Sequence, residues 1–196
     1  MTTLLFLSGS QRRESFNGRL LDHLAPYATS RCRVDRIEPA EVRLPIFDQD
    51  LEADPAILAH LAFLHARFEA CDGLVVACPE YNGQPTPYLK NIVDWLSRLP
   101  HVDGQFANPF RDRPLLLCSA STGWSGGAAA LPHARALFTY VGCQVIDETI
   151  SIPHADRAWT ADGFAFDPFF EMHTQTLLEQ LIRRVGESAR AVPVTS

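Results

Sequence analysis

The chain has 196 residues, enough for one domain with a substantial core, and 46% of them are hydrophobic against 20% charged, which is the balance of an ordinary globular protein. A formal net charge of −6 argues against a nucleic-acid surface or an anionic membrane as a partner, and no apolar run approaches the roughly 18 residues that span a bilayer. The five cysteines are scattered and include no C-x-x-C pair, which favours free thiols in a reducing cytoplasm over disulfides or a metal site.

Apolar runs alternate with helical patterns along the chain. The patterns predict strands at 3–9, 31–39, 73–78, 113–121 and 143–153, and helices at 15–27, 55–71, 87–99, 126–142 and 166–186. Pro132 within the fourth helix predicts a later start or a kink. The segment 40–54 is predicted to be an acidic loop. We expect residues 1–186 to form a single domain and residues 187–196 to be a disordered tail.

Five β/α alternations with strands buried on both faces predict a parallel sheet between two helical layers. Right-handed crossovers and the chain length favour a flavodoxin-like, five-stranded α/β sheet in the order 2-1-3-4-5. Ligands of such sheets bind beyond the carboxyl ends of the strands, where the strand order reverses. Three loops meet there, which we name loop one (9–16), loop two (79–87) and loop three (119–127).

Loop one has the composition of a phosphate site. Ser10, Ser15 and the following Asn17 offer short polar side chains, and Arg12 and Arg13 add positive charge. The loop leads into a helix N-terminus, whose free N–H groups and positive dipole end favour an anion. It is neither a Walker loop nor a G-x-G-x-x-G fingerprint, and a capped helix with solvent-exposed arginines explains it equally well.

Loop two is predicted to be rigid. Pro79 ends the strand, Gly83 permits an unusual backbone angle, and Pro85 and Pro87 stiffen the remainder. The backbone N–H and C=O groups of residues 80–83 are therefore held in place, which suits the edge of a planar heteroaromatic ligand.

Loop three carries a competing motif, because Gly123–Gly127 matches the G-x-S-x-G of a nucleophile elbow. Asp147 or Asp156 and then His173 follow in the chain order of an α/β-hydrolase triad. An elbow serine should follow its strand directly, whereas Ser125 lies several residues beyond the predicted strand. A serine hydrolase also leaves loops one and two unexplained.

Three motifs, in order along the chain, resemble the NAD(P)H-dependent FMN reductases, a group that includes azo-, quinone- and chromate-reducing flavoproteins. They are G-S-x-R-x-x-S-x-N at 9–17, P-E-Y-N-G and T-P-Y-L-K-N-I-V-D-W within 79–95, and S-A-S-T-G-W-S-G-G at 119–127. The resemblance covers about residues 1–150. It implies bound FMN, NAD(P)H as the hydride donor and a small acceptor such as a quinone, an azo compound, free flavin or a metal oxyanion. It implies no catalytic side chain, because the flavin carries the chemistry; a non-enzymatic flavodoxin-like electron carrier is a further alternative.

The resemblance also implies which residues hold the cofactor. The FMN phosphate would contact Ser10, Arg12, Ser15 and Asn17. The isoalloxazine and ribityl would contact Pro79, Glu80, Tyr81 and Asn82, and the other side would be closed by Ser119, Ser121 and Gly123. Gln84 and Thr122 stand where the family usually has serine and many members have proline, which leaves the substrate preference open.

The helix after loop two bears on assembly. Leu89, Ile92, Val93 and Leu96 recur at the spacing of one helical face and are predicted to face the sheet. Tyr88 and Trp95 widen that apolar stripe to one side, where either a subunit contact or a wider core face would cover them. The family resemblance also implies a homodimer or homotetramer.

Overall fold

The computed structural model describes residues 2–160, 163–165 and 168–191. In chain order the elements are β1 (Thr3–Ser8), α1 (Phe16–Thr29), β2 (Arg33–Ile37), α2 (Pro55–Glu69), β3 (Gly73–Ala77), β4 (Glu80–Tyr81), β5 (Gln84–Pro85), α3 (Pro87–Val102), β6 (Pro114–Ala120), α4 (Leu131–Tyr140), β7 (Gln144–Val145), β8 (Ile150–Ile152), α5 (Ala155–Ala158), β9 (Trp159–Thr160), β10 (Gly163–Phe164) and α6 (Pro168–Ala191). The main sheet is parallel and has the order β2-β1-β3-β6-β7. This is the predicted flavodoxin-like arrangement, and the prediction of fold class is confirmed.

The fifth strand, predicted over 143–153, is present in two pieces on the same edge of the sheet. β7 pairs with the beginning of β6, and β8 pairs with its end. Between the two pieces, Arg135 of α4 donates hydrogen bonds to the carbonyls of Ile146 and Asp147. These carbonyls find a partner outside the sheet, so the strand can be interrupted without leaving them unpaired.

Apolar layers cover both faces of the sheet. Leu5 and Leu7 of β1 belong to one layer, which contains residues of α2, α3 and α4. Leu4 and Phe6 belong to the other layer, which contains residues of α1 and α6. Successive residues of a strand point to opposite faces, so an unbroken apolar run such as β1 supplies both layers at once.

Two helices have different bounds from those predicted. α4 begins at Leu131 with Pro132 in its first turn, which is the later start that this proline predicts. α6 continues to Ala191 instead of ending at 186, and residues 166–167 and 192–196 of the predicted helix and tail lie outside the described residues. α6 has 24 residues, but neither it nor any other described helix is apolar enough over the length needed to cross a membrane.

Of the two alternatives for the flank of α3, the structure selects a wider core face for Trp95, because this side chain is fully buried within the chain. Its Nε1 donates to the Pro45 carbonyl at 2.8 Å, and the Phe47 ring lies edge-on with 4.9 Å between ring centroids. Asn91 holds the same segment, since its Oδ1 accepts from the Phe47 N–H at 2.7 Å. Part of the acidic loop thus folds back over α3 and covers this flank. Self-association remains a prediction from the family resemblance.

Candidate functional site

The three predicted loops meet at the carboxyl ends of β1, β3 and β6 and enclose a cavity of about 130 Å³. We call it the phosphate cavity. It is lined by residues of all three loops and of the first turn of α1: Ser10, Arg12, Ser15, Phe16, Asn17, Pro79, Glu80, Tyr81, Ala120, Ser121 and Thr122.

Most of the predicted cofactor-binding residues therefore share one cavity: Ser10, Arg12, Ser15, Asn17, Pro79, Glu80, Tyr81 and Ser121. The other three do not line it. Asn82 is exposed at the tip of loop two, and Gly123 is exposed in loop three. Ser119 is completely buried in β6. Contact with FMN stays a prediction for every residue of the set.

Loop one is shaped by its own serines. The Ser15 Oγ caps α1 by accepting from the Gly18 N–H at 3.4 Å. The Ser10 Oγ accepts from the Arg12 N–H at 3.3 Å. The first turn of a helix has N–H groups without intrahelical partners, and here that turn lies in the cavity wall with Phe16 and Asn17. Both the loop and the helix end therefore present donors to the cavity.

Arg12 is a positive charge available at this cavity. Within the described part of the chain, the guanidinium groups of Arg12 and Arg13 make no ion pair and no hydrogen bond, whereas Arg19 nearby is paired with Glu14. Arg12 lines the phosphate cavity and Arg13 does not. A phosphate in the cavity would thus meet one guanidinium that no carboxylate neutralises, together with two serine hydroxyls.

The side-chain amide of Asn17 joins loop one to loop three. Its Nδ2 donates to the Ala120 carbonyl at 2.8 Å, and its Oδ1 accepts from the Ala120 N–H at 3.2 Å. The side chain is buried, and one Nδ2 hydrogen is left over for a ligand. Asn17 holds the start of α1 against the end of β6, a role that sequence reasoning missed because the partner is 103 residues away.

Loop two is a tight β-hairpin rather than an irregular turn. Glu80 pairs with Pro85 and Tyr81 pairs with Gln84, while Asn82 and Gly83 have φ angles of 55° and 76°. Positive φ at both central positions, with the sequence Asn-Gly, is the pattern of a type I′ turn. The Asn-Gly dipeptide was the sequence signal from which the hairpin could have been predicted.

Two side chains tie loop two to the other loops. The Thr86 Oγ1 donates to the Gly9 carbonyl at 2.6 Å and accepts from the Leu89 N–H at 3.2 Å, so that it anchors loop one and caps α3. The Glu80 Oε2 accepts from the Ala129 N–H at 3.0 Å, at the end of loop three. This side-chain hydrogen bond of Glu80 was not predicted, because the resemblance implies that Glu80 contacts the cofactor mainly through its backbone. A Thr before a Pro is a common helix start, and this signal could have identified Thr86.

The donor set and the available space fit FMN. Next to the phosphate cavity lies a cleft of about 380 Å³, which we call the ring cleft. It shares Ser10, Arg12 and Tyr81 with the phosphate cavity and is completed by Gly9, Gln11, Thr86, Pro87 and Tyr88. A cationic, hydroxyl-lined cavity beside a larger cleft walled by tyrosine and proline has room for a phosphate and a planar ring. Of the described residues predicted to contact the ring, Tyr81 alone lines the ring cleft, whereas Pro79, Glu80 and Ser121 line the phosphate cavity.

The two cysteines at the ends of β3 and β6 are inert. Cys78 and Cys118 are fully buried. Burial raises the pKa of the Cys78 thiol to about 12 and also raises the pKa of Cys118. The thiolate is the reactive form, so neither residue supplies a nucleophile at neutral pH.

The geometry does not support a serine hydrolase. The carbonyl of Ser125 accepts from the Ser151 Oγ at 2.8 Å, but no hydrogen bond within the described residues joins its hydroxyl to a histidine or an acid. His173 instead faces Glu148, with 3.9 Å between Nδ1 and Oε2. Asp147 points into solvent with 95% of its side chain exposed.

A parallel sheet in this strand order, with a cavity lined by the loops at its switch point, defines the flavodoxin-like class of α/β proteins. Within that class, comparison with known families identifies one family. Residues 2–157 match the family described as NADPH-dependent FMN reductase, and the chain belongs to this family.

Individual relatives agree with the family. The chain is 32% identical to the quinone reductase of Escherichia coli (strain K12) over 142 residues, 72% of each chain. It is 31% identical to the 2-hydroxy-1,4-benzoquinone reductase of Burkholderia sp. over 173 residues, 88% of this chain and 90% of the relative. The solved structure of the flavoenzyme NAD(P)H:(acceptor) oxidoreductase FerB from Paracoccus denitrificans matches with a TM-score of 0.80 and 25% identity, covering 95% of this chain and 98% of that one. The protein is thus an oxidoreductase that uses FMN and NAD(P)H, as the sequence predicts.

Proposed function

We propose that the protein is an NAD(P)H-dependent quinone reductase. The observation that carries this proposal is the wall of the ring cleft, where Tyr81, Pro87 and Tyr88 provide flat apolar surface and Arg12 is the one charged residue among those described. A planar, uncharged acceptor matches this wall. A metal oxyanion would compete for Arg12 with the cofactor phosphate. The two bacterial relatives named above are both quinone reductases by name.

The side chains of this enzyme bind the cofactor and position the two substrates. Bound FMN supplies the hydride chemistry. Arg12, Ser10 and Ser15 hold its phosphate by charge-assisted and hydroxyl hydrogen bonds. The hairpin of loop two contributes Glu80 to the phosphate cavity and Tyr81 to both cavities. Tyr81, 49% exposed, flanks the space in which nicotinamide and acceptor bind in turn.

The acceptor is tested by steady-state oxidation of NADPH without oxygen. The acceptors compared are 1,4-benzoquinone, a sulfonated azo dye, free riboflavin and chromate. We expect the highest kcat/KM for benzoquinone. A higher value for chromate or for the azo dye would overturn the assignment of the acceptor, and an electron carrier would show no turnover with any of them.

The cofactor site is tested separately with Arg12→Ala. Losing one charge-assisted hydrogen bond worth about 1.5–3 kcal/mol weakens FMN binding roughly 10- to 100-fold. Riboflavin lacks the phosphate, so its affinity should stay the same. Arg13→Ala is the matched control, because Arg13 carries the same charge in the same loop but does not line the phosphate cavity. If Arg12→Ala leaves FMN affinity intact, or weakens riboflavin equally, Arg12 is not a phosphate ligand.

We also propose a cytoplasmic homo-oligomer. All five cysteines are free and buried, which suits a reducing compartment, and the family resemblance supports a dimer or tetramer. Light scattering at micromolar concentration should give a multiple of the 21.8 kDa chain mass. A mass equal to one chain would contradict self-association.

A further inference from the structure

A further cavity, of about 510 Å³, adjoins loop one. We call it the β2-side cavity, because it is bounded by loop one and by the segment that follows β2. The residues that matter for its chemistry are Ser10, Arg12, Arg13, Arg36 and Glu38. Ser10, Arg12 and Ser15 also line the phosphate cavity, whereas Arg13, Arg36 and Glu38 line neither the phosphate cavity nor the ring cleft.

The β2-side cavity is positively charged in an acidic protein. Three arginines and one glutamate line it, whereas the whole chain carries a formal charge of −6. Glu38 is neutralised by Arg36, with 3.0 Å between Oε1 and Nε, and Arg36 also pairs with Asp22. Arg13 is left without a counter-charge among the described residues. An anion bound here would therefore find one unpaired guanidinium that the cofactor does not use.

The β2-side cavity and the ring cleft adjoin each other along loop one. Ser10, Gln11 and Arg12 line both of them. A long ligand with one end in the ring cleft can therefore lay its other end in the β2-side cavity. NAD(P)H has this form: its nicotinamide must reach the ring cleft to deliver hydride, and its adenosine is linked to the nicotinamide half by a flexible pyrophosphate.

We propose that the β2-side cavity binds the 2′-phosphate of NADPH, with Arg13 as the principal ligand and Arg36 beside it. The enzyme then prefers NADPH to NADH. A phosphomonoester carries more than one negative charge near neutral pH and accepts bidentate hydrogen bonds from a guanidinium. This inference rests on the proposed function in one respect, namely that NAD(P)H is the reductant that enters the ring cleft.

The test is Arg13→Ala in the FMN-loaded protein. We expect kcat/KM for NADPH to fall about 10- to 100-fold, which is the effect of losing one charge-assisted hydrogen bond, while kcat/KM for NADH stays the same. By calorimetry, the affinity for 2′,5′-ADP should fall by the same factor, and the affinity for 5′-AMP, which differs from it only by the missing 2′-phosphate, should not change. Arg13→Lys should restore part of both losses because it keeps the charge.

Arg31→Ala is the matched control for net charge. Arg31 pairs with Glu179 at 2.7 Å between α1 and α6 and lines neither cavity, so its loss should change no coenzyme parameter by more than about twofold. Equal losses for NADPH and NADH in Arg13→Ala, or no loss for either, would overturn the proposal. If the protein oxidises neither coenzyme, the proposed function fails, but weaker binding of 2′,5′-ADP to Arg13→Ala would still support the cavity assignment.

Discussion

Gly127→Ala in loop three should destabilise the protein strongly for so small a change. Gly127 has a φ angle of 85° and lies against the buried strand β6. A Cβ at this position would be 2.0 Å from the Ser119 Oγ and 3.0 Å from the Ser119 Cβ. Real Cβ atoms do not approach other atoms as closely as 2.0 Å, so the Ser119 side chain, β6 or loop three has to move.

Two effects contribute to the expected loss in the free energy of unfolding. Left-handed backbone costs a non-glycine residue about 1–2 kcal/mol, and overpacking a well-filled site costs about 1–3 kcal/mol. The expected loss in the free energy of unfolding is therefore about 2–5 kcal/mol. Gly83→Ala isolates the first effect, because Gly83 has a φ angle of 76° but no atom within 4 Å of the added Cβ. It should cost only about 1–2 kcal/mol.

Ser119→Ala provides the second control. The Ser119 Oγ is buried without a hydrogen-bond partner among the described residues, so removing it alone should be nearly neutral. In the double variant, Gly127→Ala with Ser119→Ala, the contact at 2.0 Å disappears and the backbone strain stays. The double variant should therefore regain most of the unfolding free energy that Gly127→Ala loses through overpacking.

The assay is urea unfolding of the FMN-free protein, followed by far-UV circular dichroism and extrapolated linearly to zero denaturant. FMN is removed because a bound ligand adds its own stabilisation. The reasoning fails if Gly127→Ala costs no more than Gly83→Ala, or if Ser119→Ala rescues nothing. Either result would mean that loop three does not pack on Ser119 in solution.

Other predictions concern the contacts between the loops and the buried thiols. Asn17→Ala leaves both backbone groups of Ala120 unpaired, so urea unfolding should show a loss of about 1–3 kcal/mol, together with weaker FMN binding by fluorescence titration. Thr86→Val removes the α3 cap and the bond to Gly9 and should cost about 1–2 kcal/mol in the same assay; no change would contradict the capping role. Burial raises the thiol pKa from 9.0 to about 12 at Cys71, Cys78 and Cys143. These raised values favour the folded state fully below about pH 9, and that stabilisation is lost as pH rises from about 9 to about 12. Urea midpoints that stay constant over this range would disprove the shifts.

The sequence by itself determined the architecture and which three loops meet at one edge of the sheet. β1, β3 and β6 are unbroken apolar runs, and their helices begin at recognisable signals such as Asp54-Pro55 and Thr86-Pro87. These features are local, because apolar periodicity and capping act within a few residues. Once the strand order is fixed, the three loops have to meet at one edge of the sheet, and residues of all three motifs line one cavity there.

Only the tertiary structure decided what individual side chains do. Asn17 bonds to a strand 103 residues away, and the Trp95 indole donates to a carbonyl 50 residues away. Arg135 on a neighbouring helix donates hydrogen bonds to the two carbonyls at the interruption of the fifth strand. In each case a polar group is satisfied by a partner that neither spacing nor composition identifies. A local sequence pattern indicates which polar groups become buried and therefore need a hydrogen-bond partner. Which partner they find depends on how distant segments pack.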